Sequence, residues 1–199
     1  MSEGCILADL VSKMRRTPLR VTLDTNCLIN SFDDTSATAT SLDDLRKLLQ
    51  LARDGIVEIA VTTRVKVDLQ RDADVTRRAE MLSHASQFQE VGTLGRWGVS
   101  TWGGGDFYVG DAQIRQTAQI QGILFPNLSI DDKRRANKMN DVDHLFGHLR
   151  NSRDVFVTDD GGILRKSSQL KEALGIVVMC PAECVSHIVH VAMSISDTQ

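Results

Sequence analysis

Apolar positions along this chain follow two different rhythms. Short unbroken runs, Arg20 to Asp24, Ile56 to Val61, Asp154 to Thr158 and Ile176 to Met179, read as strands, because a strand inside a parallel sheet is buried on both faces. Between them, apolar residues recur every three or four positions. Leu42, Leu45, Leu48, Leu49 and Ala52 form one such stripe. Val65 and Leu69 form another, after a cap at Thr62 or Thr63. Val75, Ala79, Leu82 and Ala85 mark a helix over Val75 to Phe88. Val142, Leu145, Phe146 and Leu149 mark one that begins near Asn140, and Val185, Ile188, Val189 and Ala192 mark the last. Ser41 reads as an N-cap, Gly55 as a stop and Pro181 as a first helical position. Gly161-Gly162 turns into a short helix through Ile163 and Leu164. Strands alternating with helices predict an α/β fold, a three-layer, doubly wound and mainly parallel sheet with helices on both faces.

Two stretches depart from this rhythm. Ile6, Leu7, Leu10, Val11 and Met14 predict an amphipathic helix over 1–18, ahead of a single domain over 19–199. Within that domain, about 92–130 reads as an irregular insertion. Its glycines, from Gly95 through Gly103-Gly104-Gly105, rule out a long helix or strand, and a short helix is expected around Ala112 to Ile120. Trp97, Trp102, Phe107 and Tyr108 lie in this loop. Aromatic residues among glycines can stack bases, although anchoring a loop on the core is their commoner use.

Composition narrows the class only a little. The 199 residues are 42% hydrophobic and 25% charged, with a net charge of −3, values ordinary for a globular domain and neutral on nucleic-acid binding. No stretch is apolar enough to span a membrane. Glu3 and Asp9 break the pattern of a secretory signal, and four scattered cysteines suit a reducing compartment, so a cytoplasmic location is expected.

The acidic residues change the picture more. Asp24 closes the first strand, Asp159 and Asp160 follow the strand at Val155 to Val157, and Asp68 and Asp141 are expected in the first turns of helices. Ligands bind outside the carboxyl ends of parallel strands, and a first helical turn favours an anion. Asp24, Asp68, Asp141 and Asp160 can therefore all reach one cleft. Two unit charges about 4 Å apart at an effective dielectric of about 20 repel by roughly 4 kcal/mol. Such a cluster requires a cation or protons, and carboxylates with water suit Mg²⁺ or Mn²⁺.

The segment Val21-Thr22-Leu23-Asp24-Thr25-Asn26-Cys27-Leu28-Ile29 closely resembles the opening motif of PIN-domain nucleases, a strand ending in Asp-x-Asn. Val61-Thr62-Thr63-Arg64-Val65-Lys66-Val67-Asp68-Leu69 resembles the second motif, with Asp68 where that family usually carries Glu. The segment Asp141 to Leu149 resembles the third motif, and Phe156-Val157-Thr158-Asp159-Asp160 the fourth. The resemblance implies a Mg²⁺- or Mn²⁺-dependent hydrolase, an endoribonuclease cutting single-stranded or structured RNA. Asp24, Asp68, Asp141 and Asp160 would coordinate metal, with Asp159 as the alternative to Asp160. Asn26 would hold Asp24 by a hydrogen bond, and Thr158 would position a water or phosphate.

Arg64, Arg134, Arg135 and Lys138 are the expected phosphate-binding residues, since positive charge must flank the acids. Cys180, Cys184, His187 and His190 would span about 15 Å along one helix and cannot close on one zinc ion. His144 and His148, at i and i+4, read as structural. Two rival readings stand beside the nuclease. A haloacid-dehalogenase-like phosphatase needs an acid two residues after its nucleophile, where this chain has Asn26. A non-catalytic relative would bind RNA or a protein through the same cleft. A toxin paired with an antitoxin is a biological subtype of the nuclease reading, and the outer faces of the first and last helices allow a homodimer.

Overall fold

In the computed structural model, β1 (Leu19–Leu23), β2 (Val57–Thr62), β3 (Gln89–Val91), β4 (Val155–Val157) and β5 (Val178–Met179) form one sheet in the order β3-β2-β1-β4-β5, and every neighbouring pair is parallel. The model describes residues 18–32, 39–96, 99–100, 103–107 and 110–196. The helix expected over 1–18, and Trp97, Trp102 and Tyr108, lie outside them. β1 is central: Val21 sits opposite Ile59 of β2 and Val155 of β4. The chain builds outward from β1 to β2 and β3, then returns to the other side of β1 for β4 and β5. That reversal puts a topological switch point at the carboxyl ends of β1 and β4, where an open α/β sheet accommodates ligands.

The sheet lies between two cores, and β4 and β5 divide their residues between them. Val21, Leu23, Ile59, Val61, Val155 and Val157 enter a core shared with α1 (Thr25–Phe32), α2 (Ala39–Arg53), α3 (Thr63–Leu69), α4 (Val75–Ala85) and α9 (Pro181–Ser196). On the other face, Phe156 joins Leu94, Val142, Leu145, Phe146 and Ile163 in a second core. This core is built from α5 (Asp111–Leu124), α6 (Arg135–Arg150), α7 (Gly161–Leu164) and α8 (Ser167–Leu174). Burial on both faces is why these strands read as unbroken apolar runs.

α6 is the element that shapes the site. It crosses the second face of the sheet, where two threonines meet its histidines. Thr22 Oγ1 of β1 lies 3.0 Å from His148 Nδ1, and Thr62 Oγ1 of β2 lies 2.6 Å from His144 Nδ1. Both histidines are 1% exposed, so each ring nitrogen facing the sheet requires such a partner. Gly147 permits the close approach: a Cβ there would stand 2.9 Å from Thr93 Cγ2 and 3.1 Å from the Gly92 carbonyl oxygen.

Several boundaries differ from the sequence expectation, each for a local reason. α6 starts at Arg135, not near Asn140, because a turn at Asp132, whose side chain accepts from the Arg134 N–H, launches a polar first turn without an apolar stripe. Ser41 is inside α2, not its cap, and donates its hydroxyl to Asp159 at 2.6 Å. β3 is a three-residue edge strand whose first two residues are exposed, so no apolar run announces it. The insertion is only partly irregular. Leu94 and Phe107 form a parallel bridge, Gly92 presses on the Gly105 carbonyl, and α5 occupies fourteen residues.

Candidate active site

Asp24 follows β1 directly and is 5% exposed. Its Oδ1 accepts from the Thr25 N–H at 2.7 Å, and its Oδ2 accepts from Thr158 Oγ1 at 2.6 Å. Burial pushes its pKa up, against the opposing pull of His144 and these two donors. Thr158 is wholly buried and also accepts the Asp160 N–H at 3.0 Å. One hydroxyl thus fixes the end of β1 to the segment after β4. Asp160 caps α7, its Oδ1 accepting from the N–H groups of Gly162 and Ile163 at 2.5 and 3.1 Å. Among the described residues its Oδ2 has no hydrogen bond.

Asp141 projects from the second turn of α6 and is half-buried. Its pKa is raised to about 7, first by burial and then by the charges of Asp24, Asp160 and Asp68, with His144 opposing. Among the described residues its carboxyl receives no hydrogen bond. Asp24, Asp68, Asp141 and Asp160 are therefore brought within one electrostatic field.

Asp68 is held differently. It lies in the last turn of α3, not in a first turn, so the helix dipole there disfavours its charge. Compensation comes from side chains. Asn140 Nδ2 donates at 2.5 Å, Thr25 Oγ1 at 3.2 Å, and His144 Nε2 lies 3.0 Å away. Burial opposes ionisation of Asp68, but these contacts outweigh it and hold the carboxyl below its usual range. Burial likewise opposes protonation of His144, but the bond to Asp68 and the charges of Asp24, Asp68 and Asp141 raise its pKa. One turn further along α6, burial and the Arg153 charge bring His148 down to about 3. Neighbouring histidines on one helix are thus driven in opposite directions by what faces them.

Several expected roles require correction. Asn26 is exposed and makes no hydrogen bond to Asp24 among the described residues; Thr158 and the Thr25 N–H hold that carboxylate instead. Thr158, being wholly buried, orients two acids and meets neither water nor phosphate. Asp159 is engaged by Ser41 at 2.6 Å and Asn30 at 3.4 Å, and it is not among the leading charges that act on Asp141.

The basic residues expected to bind phosphate also divide. Arg64 is 1% exposed, and its guanidinium reaches Asp143 at 2.9 Å, Asp106 at 3.3 Å and the Leu94 carbonyl at 2.5 Å. Asp143, itself fully buried, takes Arg96 in a bidentate pair at 2.6 Å on each oxygen. Arg64 and Asp143 thus clamp the insertion to α3 and α6. Lys138 pairs with Asp132 at 2.7 Å and lies 5.5 Å above the Phe125 ring centre. Arg135 donates to the Ser129 carbonyl at 3.3 Å. Arg134 is exposed at the start of α6. Sequence reasoning passed over His144, the buried base at the heart of the cluster. Only its i+3 spacing from Asp141, on the same helix face, could have signalled it.

The donor chemistry suits a hard divalent cation, since the groups open to the cleft are carboxylates. Among the described residues, no three His, Cys, Asp or Glu side chains converge closely enough to form a ready-made shell. Mg²⁺ does not demand one: it keeps several waters and is commonly held by one or two carboxylates together with substrate phosphate. No protein-family model matches the chain, and no curated protein matches it either.

Proposed function

We propose that this chain is a PIN-like, divalent-metal-dependent endoribonuclease that hydrolyses RNA phosphodiester bonds in the crevice above β1 and β4. The observation that carries this reading is the state of Asp141. A carboxyl driven to about 7 first by burial and then by its acidic neighbours, with no hydrogen bond to it among the described residues, marks a place where positive charge is wanted.

Asp24, Asp141 and the free oxygen of Asp160 would hold Mg²⁺ or Mn²⁺. When bound, the cation supplies charge to activate a water and to stabilise the leaving oxygen. The protein's contribution is order. Thr158 fixes Asp24 and Asp160 relative to each other. Asn140, Thr25 and His144 fix Asp68 beside them, so Asp68 acts as a set negative charge whose own oxygens are already engaged. The pairing of Asp68 with His144 also keeps part of the cluster neutral without any cation, which lets the site fold before metal arrives.

The phosphatase reading loses support at Asn26, which is exposed and has no proton to exchange at the position where that chemistry needs an acid. The test of the nuclease reading is cleavage of a labelled single-stranded RNA with Mn²⁺ or Mg²⁺, comparing wild type with Asp24→Asn. Metal-dependent cleavage that the substitution abolishes, with folding retained by circular dichroism, is expected. Equal cleavage by the variant would reject the assignment.

A further inference from the structure

A strand of RNA brings a row of negative phosphates to a cleft that is itself acidic, so the protein must offer positive charge at its mouth. The basic residues around α3 and α6 are mostly committed elsewhere. Arg64 and Arg96 are spent on Asp143, Lys138 on Asp132, and Arg77 pairs with Asp72. Arg71 differs. It follows α3 by two residues, and its Nη1 donates to Asn137 Oδ1 of α6 at 2.6 Å and lies 3.4 Å from Asp68 Oδ1. Its side chain remains 41% exposed.

Asn137, Asn140, Asp141 and His144 recur at three- and four-residue steps along one face of α6. Arg71 is therefore pinned to the outer end of the row that leads to the acids. A guanidinium carries five N–H donors in a planar fork that matches a phosphate. Among the described residues the contacts of Arg71 run through Nη1 alone, which leaves Nε and Nη2 to meet a ligand. Two contacts from different helices also fix the side chain in advance, so less ordering entropy is lost on binding.

We propose that Arg71, steadied by Asn137, is the phosphate-holding residue at the entrance of this cleft, and that it grips the backbone of a single-stranded RNA. This rests on the nuclease reading for its choice of ligand but is tested apart from it. The experiment is fluorescence anisotropy of a labelled oligouridylate in EDTA, titrated over a series of salt concentrations, with wild type, Arg71→Gln, Arg71→Lys and Arg53→Gln. Arg53 closes α2 and donates to Gln50 of its own helix, so it controls for loss of net charge alone.

Arg71→Gln is expected to weaken binding about five- to tenfold near 0.1 M salt, and to lower the slope of log Kd against log salt by about 0.7, one single-strand phosphate contact. Arg71→Lys, which keeps charge without the fork, should fall between, and Arg53→Gln should match wild type. Unchanged affinity and slope in Arg71→Gln, an equal loss in Arg53→Gln, or no binding by wild type would each overturn the proposal. Binding is read without metal or cleavage, so failure of Asp24→Asn to abolish hydrolysis would sink the nuclease reading and leave this result to stand by itself.

Discussion

Asn in place of Asp141 should stabilise the metal-free protein at alkaline pH and handicap it when cation is present. The folded chain raises this carboxyl from 3.8 to about 7. At about 1.4 kcal/mol per pKa unit, ionised Asp141 costs the folded state on the order of 4 kcal/mol relative to an open carboxylate. The sign follows from proton binding. Between pH 4 and 7 the folded chain keeps a proton on Asp141 that the unfolded chain has released, so the contribution of this group to stability is most favourable below pH 4 and falls as pH rises through about 7. Asn carries no charge to lose, but its buried amide forfeits part of the gain by needing partners of its own. A net stabilisation of about 2 kcal/mol at pH 8 is therefore expected, or about 4–8 °C in Tm for a chain of this size. At pH 4, where the carboxyl keeps its proton but the amide still lacks partners, the variant should melt below wild type. With Mn²⁺ at a hundred times its Kd, wild type should gain about 2.7 kcal/mol and the variant clearly less, which closes or reverses the gap. Thermal denaturation followed by circular dichroism in EDTA at pH 4, 6 and 8, and then in Mn²⁺, reads all of this. A variant that melts at or below wild type at pH 8 in EDTA, or a difference independent of pH, would refute the reasoning.

Asp143→Asn leaves Arg96 without its bidentate partner and Arg64 with Asp106 as its remaining carboxylate among the described residues, and loss of one member of a buried charge network costs about 3–5 kcal/mol; urea denaturation should register that loss. Gly147→Ala should destabilise by about 1–2 kcal/mol, because a methyl 2.9 Å from Thr93 Cγ2 outweighs the better helix propensity of alanine. A stabilised Gly147→Ala would show that α6 does not lie so close to the sheet.

Much of this fold was readable because burial on both faces writes itself into sequence. β1, β2 and β4 announce themselves as apolar runs, and the helices that face a core carry stripes. What was hidden lacks that imprint. β3 has one buried residue, and the first turn of α6 is polar. α1 and α8 are eight residues each, too short for a periodic pattern to stand out. The acids of the site were legible for a topological reason: strand ends in a parallel sheet collect on one edge. Their supporting partners were not. Thr158 meets Asp24 across 134 positions, and His144 meets Asp68 across 76. Thr158 stands out by its motif and His144 by its spacing from Asp141, but nothing local names the partners they meet. Arg64 was misread because a cation near an acid motif looks the same in sequence whether it faces solvent or lies 1% exposed beneath a loop.

The central claim is that Asp24, Asp141 and Asp160 share one divalent cation. A crystal soaked in Mn²⁺ and measured at the manganese absorption edge tests it most directly. An anomalous peak bounded by Asp141 and at least one of Asp24 and Asp160 is the expected result. A crevice without a peak at millimolar Mn²⁺, in protein whose Asp141 is ionised, would contradict it.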